Sequence, residues 1–303
     1  MARADTLSLD ARALKRWADA CVEADRFASS GEALRAWSGL YLGDLDLTER
    51  AVEAVIAAQP EASGWLPAYL ALRAQAVLEA ARGRFPQALD LQSLAAAVLL
   101  RAGQSGQESR LLAERAALLR AAGQETDAAE TFRGALALAG SRLERYRVLR
   151  RDGWSALGSG DYARAYRRLS QAFALAPTPP EALYMALQAY AAQALGLGQE
   201  TARESLRADV ADADLDIYPG LLLRHALGQI TEEEVLARAG SESRQNPAAW
   251  QAQAGYYLAL AELLAGDRAA AAAGFERVLA SDVVALPEYG FAKHALAALA
   301  PSR

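Results

Sequence analysis

Cysteine occurs once, at Cys21, so no disulfide can close within the chain. It lies in WADACVEAD, where a lone cysteine reads as a small buried apolar side chain. Nothing beside it resembles a lipid-attachment signal. Histidine occurs twice, at His225 and His294, far apart in sequence. Neither has a neighbouring nucleophile and orienting group, so no catalytic constellation is expected. Cys, His and acidic residues nowhere adopt metal-ligand spacing, and no cofactor is implied. Asp212, Asp214 and Asp216 start like a calcium loop, but Ile217 and Leu223 stand where the loop needs Gly and Glu. Gly158–Tyr162 (GSGDY) joins two helical segments instead of following a strand, which excludes a phosphate loop.

Long apolar runs are missing as well. No stretch approaches the roughly 20 residues that cross a bilayer, so no transmembrane segment is expected. The opening MARADTLSLD lacks the apolar core of a signal peptide. The expected compartment is the cytoplasm, or the periplasm if a leader has been removed. A basic excess is absent too: 32 Lys and Arg face 37 Asp and Glu. That argues against a nucleic-acid partner, whose phosphates need a basic face.

What the chain does have is a pattern that recurs. Gly83–Ala88, Gly123–Ala128–Phe132–Ala135, Gly160–Ala165–Leu169–Ala172–Pro177 and Gly266–Ala271–Phe275–Val278 place small and bulky residues at matching offsets. With Gly198 included, the glycines are 40, 37, 38 and 68 residues apart. Periods of this size signal stacked helix pairs. Apolar residues recur at spacings of three and four, and β-branched runs are scarce, so nearly all segments read as helix. After a first amphipathic segment near Ser8–Ala28, the expected pairs are Gly31–Ala58 turning near Gly43, Leu66–Ala81 with Pro86–Arg101, Glu108–Ala121 with Thr126–Ala139, Leu143–Leu157 with Tyr162–Ala176, and Pro180–Leu195 with Glu200–Ala208. Short helices follow at Leu221–Leu227 and Thr231–Ala239, then Pro247–Leu264 with Arg268–Ala280, and Pro287–Leu299 closes the array. Pro60, Pro177, Pro179 and Pro180 fall at breaks. Thr231 and Glu234 form a capping box, and Asp161 and Asp267 read as helix-start residues.

The segment RDGWSALGSGDYARAYRRLSQAFALAP resembles the tetratricopeptide (TPR) repeat, with Gly153, Gly160, Ala165, Leu169, Ala172 and Pro177 on that family's small and apolar positions. GYYLALAELLAGDRAAAAAGFERVLA and LLAERAALLRAAGQETDAAETFRGALAL match almost as well. YPGLLLRHALGQITEEEVLARA and LPEYGFAKHALAAL are similar to the tail of bacterial TPR proteins of the lipoprotein NlpI type, which implies scaffolding of cell-wall enzymes in the envelope. The resemblance implies an all-α right-handed superhelix of about six helix pairs forming one domain over 1–303. Residues 1–30 would be a cap helix, 31–210 the repeats, 211–246 an irregular insertion, and 247–303 the last repeat and a capping helix, with one continuous hydrophobic core.

Counted in that repeat frame, the concave groove is lined by Arg73, Arg110, Arg120, Arg147, Arg150 and Trp154, with Tyr256 and Leu260 in the last repeat. This is a basic strip beside one large aromatic in an acidic protein. Arginine forks grip carboxylates, and tryptophan adds apolar and cation–π contact. The strip therefore fits an acidic or C-terminal segment of a partner protein; the alternative is that these arginines are solvated or paired with Glu114 and Glu144. The Lys and Asn set of chaperone-binding TPR clamps is not reproduced. The expected role is a non-enzymatic scaffold or adaptor. The alternative is a self-associating subunit whose terminal helices pair, with Leu14, Trp17 and Phe27 forming the apolar face of a homo-oligomer contact.

Overall fold

Glycine and proline punctuation divides the chain into helices that end within about three residues of where the sequence predicts. At Gly160 the backbone turns left-handed (φ 82°), and the Asp161 N–H donates back to the Ala156 carbonyl at 3.0 Å. That closure satisfies carbonyls orphaned at the helix end, and it favours a residue without Cβ. The same closure recurs after Gly83, Gly103, Gly123, Gly228 and Gly266.

The computed structural model describes residues 28–58, 65–216, 218–242 and 247–300, and positions 12, 15, 16, 18, 19 and 22 before them. Cys21, Leu14, Trp17, Phe27, Pro60 and Ile217 lie outside the described residues. The helices are α1 (Ala28–Leu42), α2 (Leu45–Ala57), α3 (Trp65–Ala81), α4 (Phe85–Arg101), α5 (Glu108–Ala121), α6 (Glu125–Leu138), α7 (Arg142–Leu157), α8 (Tyr162–Leu175), α9 (Pro179–Leu197), α10 (Gln199–Asp209), α11 (Gly220–Ala226), α12 (Glu232–Glu242), α13 (Pro247–Ala265), α14 (Arg268–Ala280) and α15 (Pro287–Leu299). A 3₁₀ turn at Ser105–Gln107 precedes α5. Among the described residues no strand occurs, and no helix is long and apolar enough to cross a membrane.

Each odd-numbered helix up to α9 packs against the even one that follows it, and α13 packs against α14. Further contacts join α1 to α3 and α5 to α7, giving an all-α, repeat-like array of paired helices. Small residues permit the close crossings. A Cβ on Gly153 of α7 would stand 2.7 Å from Cγ of Leu169 on α8, and one on Gly274 of α14 would stand 2.5 Å from Cβ of Ala259 on α13. Ala128, Ala165, Ala172 and Ala271, the small positions of the repeating pattern, are fully buried. Caps agree with the sequence reading: Asp161 and Asp267 accept from the N–H of Arg164 and Ala270, and Thr231 and Glu234 exchange bonds. Ser141 and Glu144 form a second capping box at the start of α7.

Two arrangements differ from the sequence reading. The core is not one continuous strip but several abutting clusters. In the α3–α8 region, buried arginine–carboxylate groups lie among them. The last helix also does more than cap an end. Val284 and Tyr289 pack with Leu40, Trp37 and Val55 of the first pair, and Lys293 Nζ donates to the Ala81 carbonyl of α3 at 3.1 Å. Helix α13 also touches α1. The final element thus bridges the last helices of the array to the first.

Candidate functional site: an arginine–aromatic face on α3, α5 and α7

Arg110 and Glu114 lie one turn apart on α5 and so share a face. Arg73 reaches them from the middle of α3. Its Nε donates to Glu114 Oε2 at 3.0 Å and its Nη2 to Oε1 at 2.5 Å, while Arg110 Nε adds a bond of 3.2 Å to Oε1. A planar guanidinium matches a carboxylate in this two-point way. Burial works to raise the Glu114 pKa, but Arg73, Arg110 and Arg151 outweigh it and bring it down to about 2. Glu114 is therefore a firmly ionised anchor at the centre of the face.

Aromatic rings flank the cations. The Arg73 guanidinium carbon lies 5.2 Å from the Trp37 ring centre and 5.3 Å from that of Tyr69. Arg150 lies 5.0 Å from Tyr146 and 4.7 Å from Trp154, and Arg151 lies 5.5 Å from the same Trp154 ring. Such stacking stabilises a cation most where water is excluded. Trp154 is held in place: its indole N–H donates to Gln188 Oε1 on α9, and its ring meets Tyr184 edge-on at 6.3 Å.

Arg151 is the group sequence reasoning missed. Burial pushes its pKa down; Glu114 opposes this, and Arg150, Arg73 and Arg110 push it down further. Among the described residues it makes no hydrogen bond or ion pair. A partly buried cation beside three others, with Glu114 already taken by Arg73 and Arg110, is a position that attracts an anion. The signal was present in the doublet Arg150–Arg151. A helical step of about 100° set the second residue off the counted face, and only its long stem brings the head back.

The remaining residues of the strip divide. Arg147 sits beside Glu144, whose pKa is lowered first by the Ser141 backbone and in part by Arg147. Arg150, 8% exposed, donates to the Tyr146 hydroxyl at 3.3 Å. Arg120 is enclosed, its side chain 1% exposed; it donates to Glu125 at 3.1 Å and Asp152 at 3.0 Å. Asp152 also receives Arg164 at 3.0 Å and Arg168 at 2.9 Å, which ties α5, α7 and α8 together. The pairing of Arg73 and Arg110 with Glu114 belongs to the alternative that the sequence offered to a partner-binding strip, in which these arginines are solvated or paired with Glu114 and Glu144. Tyr256 and Leu260 are buried, Tyr256 against Phe275 and Phe291.

Beyond Trp154, Tyr184 leads to Glu288 of α15. Glu288 is fully buried, and its Oε1 accepts from the Tyr184 hydroxyl at 2.6 Å, Gln253 Nε2 at 3.1 Å and the Tyr257 hydroxyl at 3.2 Å. Oε2 has no partner among the described residues. Burial raises the Glu288 pKa, and the bonds from Tyr184, Gln253 and Tyr257 reduce the rise without cancelling it. A glutamate just after a helix-starting proline reads as a dipole partner, which concealed this one in the sequence.

Among the described residues no cluster of His, Cys, Asp or Glu could hold a metal ion. Asp216 instead pairs with Arg224 at 2.8 Å. Compared with protein-family models and with curated proteins, the chain matches none.

Proposed function

We propose that this chain is a non-enzymatic scaffold of the TPR type, a right-handed superhelix that holds an acidic segment of a partner protein on the α3–α5–α7 face. The observation that carries this is Arg151: a partly buried guanidinium stacked on Trp154, among Arg73, Arg110 and Arg150, with Glu114 already gripped by others. Arg151 and Arg110 are the recruiting cations. Arg73, Arg150 and Trp154 shape the seat, Arg147 guards its edge, and the enclosed Arg120 supports it from within. A carboxylate docking there would replace water at a site that is already partly dry, which favours charge-assisted bonds.

The resemblance of the C-terminal third to NlpI-type proteins supplies a setting, the assembly of bacterial envelope enzymes. The reading of self-association through terminal helices is narrowed at one end, because α15 is already consumed by packing on α1, α13 and α14. The test is binding to an immobilised library of acidic peptides, measured for the wild type and for Arg110→Ala/Arg151→Ala. Wild-type binding that weakens with salt and falls about tenfold or more in the variant supports the reading. Equal binding by both proteins removes this face from it.

A further inference from the structure

Beneath α15 the apolar side chains leave a cavity of about 130 Å³. Its walls come from six helices, α7, α8, α9, α13, α14 and α15, and its apolar part includes Leu195 of α9, Leu260 and Leu263 of α13, Phe275 of α14 and Phe291 of α15. Protein interiors pack to crystal density and keep few voids larger than a water. The leucine and phenylalanine part of this wall offers water no hydrogen bonds, and apolar space of about this size accepts a guest of about five or six carbon atoms.

The polar side of the cavity is of one kind. Arg268, Tyr162 and His294 belong to the lining, and among the described lining residues none is acidic. Burial lowers the His294 pKa and raises that of Tyr162, so both are neutral at pH 7. The charge at the site is then that of Arg268, whose side chain reaches the end of α15 and donates to the Leu299 carbonyl at 3.4 Å. A guanidinium has five donors, so this one long bond leaves it able to grip a carboxylate.

We propose that this cavity binds a small amphipathic monocarboxylate, a short aliphatic tail lying among Leu260, Leu263, Phe275 and Phe291 and its head on Arg268. The site is separate from the α3–α5–α7 face and does not depend on the function proposed for it. Because the tail would touch both α15 and α13, binding holds the last helix to the array.

The experiment uses the full chain with pentanoate, pentanol and acetate as probes, read by calorimetry and by thermal melting. Pentanoate binds and raises the melting temperature, pentanol binds more weakly, and acetate, which has the head without the tail, does neither. In Arg268→Gln the affinity for pentanoate drops several-fold to that of pentanol, while pentanol is unaffected. Leu263→Trp, which fills the void, abolishes both; if that variant fails to fold by circular dichroism, Leu195→Phe takes its place. Arg151→Gln leaves pentanoate binding unchanged. The proposal is overturned if pentanoate fails to bind the wild type at millimolar concentration. It is equally overturned if acetate binds as well as pentanoate, or if Arg151→Gln rather than Arg268→Gln removes the signal.

Discussion

Arg73 holds Glu114 by two nitrogens, Nε at 3.0 Å and Nη2 at 2.5 Å, although 41 residues separate them in the chain. The pair joins α3 to α5, and Arg110 and Arg151 complete the field around the carboxylate.

Removing that carboxylate leaves the guanidinium groups to repel one another in a partly dry site. Glu114→Gln is expected to destabilise the fold by about 3 kcal/mol. The pH dependence has a definite sign. The Glu114 pKa is depressed from 4.5 to about 2 in the folded chain. Its contribution is therefore full above about pH 4.5 and is lost as pH falls toward 2, a difference of roughly 3 kcal/mol. Melting temperature against pH tests this: the wild type converges on the variant in acid, and a constant gap down to pH 2 contradicts the assignment.

Glu288 behaves in the opposite sense. Its pKa is raised in the fold, so the protonated form is favoured there and ionisation costs stability. The groups facing it are Tyr184 on α9 and Gln253 and Tyr257 on α13. Burial also raises the pKa of Tyr184 and Tyr257, so both remain neutral donors. Stability from this site is expected to be full below the ordinary carboxyl pKa of 4.5 and to decline as pH rises through the raised value. Glu288→Gln keeps an acceptor and removes the charge. It should match the wild type in acid and exceed it at neutral pH; a variant less stable at pH 7 than at pH 4, relative to wild type, would refute this.

Gly153→Ala sets two effects against each other. Alanine in mid-helix gains up to about 1 kcal/mol over glycine, but the added Cβ meets Leu169, which is fully buried and packed on all sides. Overpacking of this kind costs about 1–3 kcal/mol, so a net loss of about 1 kcal/mol is expected from urea unfolding. Gly134→Ala, in α6 with open space around the added carbon, should be neutral or stabilising.

The bridge made by the last helix gives a test at a distance. Tyr289 packs with the α1–α2–α3 cluster. Tyr289→Ala is expected to speed amide exchange in α1 and α2, remote from it in the chain, more than in α5 and α6. Uniform acceleration across the array would mean that the ends do not act as one unit.

Most helix limits were legible because local chemistry sets them. Glu108–Ala121, Arg268–Ala280 and Pro287–Leu299 stand where glycine, proline and the apolar period place them. The α10 helix, expected as Glu200–Ala208, runs Gln199–Asp209, since end residues are decided by one or two hydrogen bonds. The arginine face was legible in part: Arg73, Arg110, Arg150 and Trp154 do gather, but Arg120 turns inward to Asp152 and Arg151 turns toward the face.

By itself the sequence determined that this protein is all-α, that its helices come in pairs, and which small residues stand at their crossings. Those properties depend on contacts a few residues apart, where spacing and caps suffice. The tertiary structure alone decided which arginine meets which carboxylate, that Glu288 is buried, and that α15 returns to α1. Partners such as Tyr184 and Glu288, 104 residues apart, meet only through the packing of all the helices between them. No local pattern records that packing.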